Sequence, residues 1–202
     1  MLCDLATMRE IKKIADGADE KRAMICLSAA SDWLEYRIGH RIQYQDELTE
    51  TVNGTGTRLL YTTHWPILSV TSITQNGSTA WTIQDQSDTP APGTYDCFLP
   101  FHERLPDGTK AAHWVEGFSD FSEGVGNFRV IYDAGYHVVP DDLQFACALV
   151  AHMYIQEEHG VGTGGKRIGD VDVSLIIRDP LTRGSQSDYQ IVRAVIERYG
   201  NR

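Results

Sequence analysis

A chain of 202 residues and 22.6 kDa can fold as one generous domain or two small ones, taking roughly 33,000 Å² of extended surface down to about 9,500 Å² without a disulfide or metal staple. Hydrophobic residues at 42%, charged residues at 23% and a mean hydropathy of -0.30 exclude wholesale disorder, and no apolar run approaches the ~20 residues of a membrane span. With 18 Lys and Arg against 28 Asp and Glu, the net charge of -10 and pI near 5.1 oppose binding to a phosphate backbone.

The N-terminal third predicts two helices. Thr7-Met8-Arg9-Glu10 fits a capping box, in which the Thr hydroxyl and the Glu carboxylate satisfy free backbone N–H groups at a helix start. This helix is expected to run to about Asp16 and stop at Gly17. Asp19 offers a second N-cap, after which Ala23, Leu27, Ala30, Leu34 and Ile38 recur at helical spacing, flanked by Cys26 and Trp33, until Gly39.

The middle of the chain changes period. Asn53-Gly54 and Asn76-Gly77 are dipeptides that tolerate positive φ at both centres of a tight hairpin turn. They predict one hairpin of Thr49 to Val52 with Arg58 to Thr62, and another of Val70 to Thr74 with Ala80 to Ile83. Residues 84–127 hold Asp, Ser, Gly, Pro90, Pro92, Pro100 and Pro106 with aromatic islands at Trp114 and Phe118, and read as a long, partly ordered insertion serving a contact. Phe128 to Tyr132 alternates as a further strand.

Helix returns after Val139-Pro140. Proline suits the first helical position, Asp141 and Asp142 complement the dipole, and Leu143, Ala146, Cys147, Val150, Ala151 and Tyr154 form an apolar stripe that ends near His159. Gly160 to Gly165 reads as a hinge, Val171 to Ile177 as a short strand before Asp179-Pro180, and Ser187-Asp-Tyr-Gln190 as a capping box. That box opens a last helix with Ile191, Val192, Val195, Ile196 and Tyr199 on one side, stopped by Gly200, basic outside and set apart from the body. The domain division expected is therefore a body over 1–159 and a hinge with a docking arm over 160–202. Charge divides there too: residues 1–165 carry 11 basic and 23 acidic residues, whereas 166–202 carry 7 and 5.

Chemical motifs are weak. Gly160-Val-Gly-Thr-Gly-Gly165-Lys166 approaches a phosphate-binding loop, but Arg167 stands where a hydroxyl should hold magnesium, a helix precedes where a strand is needed, and no good helix follows. His152 and His159 share a helix face some 10 Å apart, too far to ligate one ion, while His102-Glu103 and His113 lie without a partner of ligand spacing. There is no Gly-x-Ser-x-Gly elbow. Cys147 in an apolar stripe reads as a small hydrophobe, Asp85 with Asp88 as turn chemistry and Asp141 with Asp142 as capping. Cys3, Cys26, Cys97 and Cys147 form no CxxC pair, and Met1-Leu2-Cys3-Asp4 opens no leader, so a soluble chain in a reducing compartment is expected. The fold class expected is α+β: an N-terminal helix pair, one long central helix and a short C-terminal helix, with an antiparallel, hairpin-rich strand region.

The order of segments has a family likeness. The helix pair, Thr51-Val-Asn-Gly-Thr-Gly-Thr-Arg-Leu-Leu60, His64-Trp-Pro-Ile-Leu-Ser-Val-Thr-Ser-Ile-Thr-Gln-Asn-Gly77, Tyr132-Asp-Ala-Gly-Tyr136 with Val139-Pro140 and the following helix, and Arg167-Ile-Gly-Asp-Val-Asp-Val-Ser174 together resemble the head-to-tail connector (adaptor) proteins of tailed bacteriophages and related gene-transfer particles. The resemblance implies a structural virion protein without enzymatic activity or cofactor, assembled in the host cytoplasm. Copies would form a dodecameric ring beneath the portal protein that receives the stopper or tail-completion protein, with DNA passing through the lumen without sequence-specific binding and no membrane partner. Lys166, Arg167, Ile168, Arg178, Tyr189, Arg193 and Arg198 are then the expected partner contacts. A stopper or terminator ring, and more remotely a nucleotide-binding enzyme using Gly160 to Lys166, are the alternatives.

Overall fold

The computed structural model describes residues 1–12, 20–84, 92–159 and 186–200. Helices α1 (Leu5–Lys12) and α2 (Glu20–Ile38) precede strands β1 (Gln45–Gly54), β2 (Leu59–Leu60), β3 (Ile67–Gln75), β4 (Thr79–Trp81), β5 (Ile83–Gln84), β6 (Cys97–Phe98), β7 (Glu103–Arg104), β8 (Lys110–Ala111), β9 (Val115–Gly117) and β10 (Gly124–Ala134). Helices α3 (Asp141–His159) and α4 (Gln186–Gly200) follow. The elements group into two compact units: a helical one from both ends of the chain, Met1–Gly39 with Val139–Arg202, and a β unit, His40–Val138. The fold class is α+β, as the sequence predicts.

In the helical unit α3 is the centre, with α1, α2 and α4 all packed on it. Burial therefore extends beyond the expected stripe: Leu143, Ala146, Cys147, Ala148, Leu149, Val150, Ala151 and Met153 are all buried, as befits a helix covered on several sides. On α2 the predicted stripe of Ala23, Leu27, Ala30, Leu34 and Ile38 is buried in full, joined by Ser31. Ser31 is accommodated because its hydroxyl donates to Leu27 O at 2.8 Å, accepts from Leu2 N at 2.9 Å and meets Cys147 Sγ at 3.4 Å. Gly39 ends α2 at φ +94, its N–H bonded to Glu35 O.

Two local expectations are corrected here. The first helix is capped by Asp4 rather than Thr7: Asp4 Oδ1 accepts the Thr7 N–H at 2.7 Å and Asp4 O accepts Met8 N–H at 3.1 Å. An ionised carboxylate at this end also interacts favourably with the helix dipole, an advantage a Thr hydroxyl lacks. The last helix is not set apart from the body. Val192, Val195 and Tyr199 of α4 are buried, and a Cβ on Gly200 would stand 3.4 Å from Ile38 O. Exposed Ile191 and half-buried Ile196 edge that contact. The end of the first helix near Asp16, the Asp19 cap, the Gly160 hinge and the Val171 to Ile177 strand lie outside the described residues.

The β unit has an antiparallel sheet of order β1-β10-β3-β4, a smaller sheet of order β2-β9-β6-β5 in which β5 and β6 run parallel, and the hairpin β7-β8. The Asn76-Gly77 hairpin forms as predicted. Asn76 and Gly77 have φ of 51 and 71 and Ser78 N–H bonds Gln75 O, the pattern of a type I′ turn, and the ladder resumes one residue on with Gln75 opposite Thr79.

The Asn53-Gly54 hairpin does not form. β1 pairs instead with β10, with Leu48 opposite Tyr132 and Val52 opposite Phe128. That pairing carries Val52 into the core and leaves Leu48 and Glu50 half-buried, and Gly54 serves close approach: a Cβ there would fall within 3 Å of Ser122 O and Phe128. Asn53 Oδ1 and Asn127 Oδ1 each accept a backbone N–H, from Gly126 and Gly54 respectively, which locks the irregular end of the ladder. The stretch 84–127 is likewise more than an insertion, since it supplies β6 to β9 and the buried Cys97, Leu99, Ala112, Val115 and Phe121. These join Val52, Leu60, Val70, Ile73, Phe128, Val130 and Tyr132 in one core drawn from both sheets, closed by Trp81 stacked 4.5 Å from Phe121.

Candidate partner-binding surface

Of the expected contact residues, Arg193 and Arg198 lie on α4 among the described side chains. Tyr189 lies in the first turns of that helix, and Lys166, Arg167, Ile168 and Arg178 fall outside the described residues. Arg193 and Arg198 are five apart, and the structure does not bring them together on one cationic patch. Arg193 Nε bonds Glu197 Oε1 at 2.7 Å one turn along the helix. Arg198 Nη1 reaches Asp142 Oδ2 at 2.8 Å, and its guanidinium lies 5.4 Å from the centre of the Tyr199 ring. Both cations thus face a carboxylate of their own unit.

Asp142 is the residue that sequence reasoning undervalued. Read as a dipole-complementing residue of the first turn of α3, it accepts from Leu143 N–H at 3.0 Å and also takes the Tyr199 hydroxyl at 2.9 Å and Arg198. The N-terminus of α3 is therefore bolted to the C-terminus of α4 by one carboxylate, with the Tyr199 ring buried beside it. The Arg198 arm of the bolt is the weak one: its side chain is 64% exposed, and an exposed ion pair contributes at most about 1 kcal/mol.

Apolar side chains left at the surface complete the picture. On α2, Ile25 and Tyr36 are three turns apart on one outward face, Met24 adjoins them, and Tyr36 is 82% exposed. Phe145 on α3 and Ile191 on α4 are also exposed, and in the β unit Val125 stands 93% exposed at the Gly124 to Gly126 bulge. A flanking glycine in an irregular stretch is the sequence signal that could have marked Val125. The α2 face carries no signal beyond an imperfect stripe.

Sites for chemistry are weaker than these surfaces. Burial pushes the Cys3 and Cys97 thiols up to about 12 and the Cys147 thiol up to about 11, which keeps them as protonated small hydrophobes. Among the described residues no group of three or more His, Cys, Asp or Glu could hold a metal ion, and no helix is long and apolar enough to cross a membrane. A shallow depression beside β1 is lined by Glu50, Thr51, Thr55, Tyr61, Thr62 and Thr63. Several of its polar groups are engaged: Thr63 Oγ1 and Tyr132 OH bond Glu50, and Thr62 Oγ1 bonds His64 O. The pair Asp85 and Asp88 and the Gly160 to Lys166 run lie outside the described residues.

No protein-family model matches the chain, and no curated protein matches it. Solved structures of gene transfer agent particles do. A chain from the neck of an empty gene transfer agent particle, computed with C6 symmetry, is 19% identical over 96% of this chain and 87% of its own, with a TM-score of 0.44. A chain from the virion of a native gene transfer agent particle is 19% identical over 85% of each chain, with a TM-score of 0.43. A third, from the neck of a native particle computed with C12 symmetry, is 16% identical over 85% of this chain and 87% of its own, with a TM-score of 0.36. At such identities and TM-scores the likeness does not fix the fold or the role.

Proposed function

We propose that this chain is a structural component of the head–tail junction of a tailed phage or phage-like particle: an adaptor subunit that forms a ring on the portal and receives the stopper or tail. The observation that carries the reading is the fall of the family-like segments on consecutive structural joints. Thr51 to Leu60 closes β1 and leads through β2, His64 to Gly77 spans β3 and its type I′ turn, and Tyr132 to Tyr136 closes β10 ahead of the Pro140 start of α3. Three separated segments kept in that order within an α+β chain are more specific than any one of them.

The reading asks for shape and contact and involves no turnover, metal or cofactor. An acidic chain of net charge -10 would line a passage that DNA crosses without sticking. The partner contacts in this reading are Lys166, Arg167, Ile168, Arg178 and Tyr189, together with Arg193 and Arg198 on the exposed side of the packed helix α4. Arg193 and Arg198 would exchange Glu197 and Asp142 for carboxylates of the portal, an exchange of exposed pairs that costs little.

The test is association with isolated portal, followed by sedimentation and electron microscopy. Rings on the portal are expected, and the triple variant Lys166→Glu, Arg167→Glu, Arg178→Glu should lose them with its circular dichroism unchanged. Deleting residues 166–202 is unsuitable because it strips Val192, Val195 and Tyr199 from the helical core. A chain that binds only after another neck component is seated would be a stopper or terminator. Particles that mature and hold their genome without the polypeptide would end the proposal altogether.

A further inference from the structure

A histidine pair in the β unit is built so that one ring must stay neutral for the last rung at the base of a hairpin to form. His102 immediately precedes β7 and His113 follows β8 by two residues, so the pair sits at the open end of the hairpin Glu103–Ala111. The hairpin's ladder ends with His102 N–H on Ala111 O at 3.0 Å. The next rung uses a side chain: His113 N–H bonds His102 Nδ1 at 3.0 Å. A backbone N–H can only donate, so Nδ1 must carry a lone pair, and the ring is the neutral tautomer protonated at Nε2. Adding a second proton would set N–H against N–H and remove the rung.

The surroundings make that proton unwelcome. The His102 ring lies 3.9 Å from the Trp114 ring and 5.2 Å from the His113 ring, and the His113 ring lies 5.6 Å from Trp65. Burial holds the His102 pKa below its ordinary 6.5, with Glu116 of β9 pulling the other way. The other groups facing the pair are Glu103, whose Oε1 lies 3.6 Å from His113 Nε2, and His113 itself. Below the rung, Ala112 exchanges both backbone hydrogen bonds with Ile67, at 2.9 and 2.7 Å, so release at His102 would stop at this double bond and leave the larger sheet intact. What it would free is the base of the hairpin at His113, while the hairpin's own ladder, with Leu105 N–H on Thr109 O at 2.8 Å, stays paired.

We propose that His102 and His113 form a pH-operated latch at the base of the hairpin Glu103–Ala111: neutral His102 holds the His113 N–H, and protonated His102 releases it. The sign follows from the lowered pKa. The unfolded or opened form binds the proton more readily, so the latch is fully closed above about pH 6.5 and is lost as pH falls below it.

The experiment is an NMR titration of the full-length chain from neutral to mildly acid pH. It follows the His102 ring resonances together with the hydrogen-exchange protection factor of the His113 amide, corrected for intrinsic exchange. We expect that protection to fall by about fivefold or more, the loss of one hydrogen bond, with the midpoint of His102 titration, while the Ile67 and Ala112 amides keep theirs. His102→Asn offers a carbonyl oxygen near the Nδ1 position that cannot titrate in this range, and in that variant the His113 protection should stay flat. His113 protection that is unchanged while His102 takes up its proton would overturn the proposal, as would an equal fall in His102→Asn. If that variant does not fold, the wild-type titration decides by itself.

Discussion

Removing the Asp142 carboxylate tests how α4 is held. In Asp142→Ala the Tyr199 hydroxyl loses a charge-assisted hydrogen bond of 2.9 Å beside a ring only 6% exposed, which costs about 1.5–2 kcal/mol. The Arg198 pair adds at most about 0.5 kcal/mol, because its 64% exposed side chain is screened by water. Loss of negative charge at the first turn of α3 adds about 0.5 kcal/mol more. The expected total is about 2–3 kcal/mol, concentrated on α4. Urea unfolding followed by circular dichroism measures the sum, and hydrogen exchange at the α4 amides locates it. Tyr199→Phe alone should cost about 1–2 kcal/mol, and the double variant should cost little more than Asp142→Ala, since both remove the same bond. A cost for Asp142→Ala below about 0.5 kcal/mol, or strictly additive single costs, would refute the bolt.

Gly135 sits at φ +98, and a Cβ there would stand 2.5 Å from Gln43 O and 2.9 Å from Ile42 O. Gly135→Ala should therefore cost about 3 kcal/mol or more, and an unchanged melting temperature would contradict this. Asp4→Ala should cost about 1 kcal/mol at neutral pH. Because the Thr7 N–H and hydroxyl hold the Asp4 carboxyl below its ordinary 3.8, that contribution is full above about pH 4 and lost as pH falls further, so wild type and variant should converge in stability in strong acid. Tyr132→Phe removes a hydroxyl that donates to Glu50 Oε2 at 2.6 Å and accepts from His64 N–H at 3.3 Å, for a loss of about 1–3 kcal/mol in denaturant unfolding. Cys3, Cys97 and Cys147, held as thiols by burial, should alkylate at neutral pH no faster than global unfolding exposes them.

Local rules were legible where one segment decides its own structure. The α2 stripe, the Gly39 stop, the Pro140 start and Asp141–His159 extent of α3, and the Asn76-Gly77 turn all follow from spacing and backbone preference among neighbours in sequence. The cap of α1 was missed within the same local range, since Asp4 and Thr7 both satisfy cap chemistry and only the bond made distinguishes them. The Arg193 pairing is local too, one turn along α4.

What the residues could not declare is pairing at a distance. Asn53-Gly54 has the composition of a hairpin turn, yet β1 pairs with β10, some seventy residues away, which carries Val52 into the core, and the glycine is spent on close approach to Ser122. Residues 84–127 look like loop because strands of two or three residues carry no period, and they become strands only when β2 and the core supply partners. Asp142 as an anchor for α4, and His102 as a rung for His113, depend likewise on contacts across 57 and 11 positions. Helix type and turn chemistry are set by the free energies of adjacent residues, which the sequence lists. Strand partners and polar bridges are set by which distant surfaces exclude water together, and only the folded chain brings those surfaces into contact.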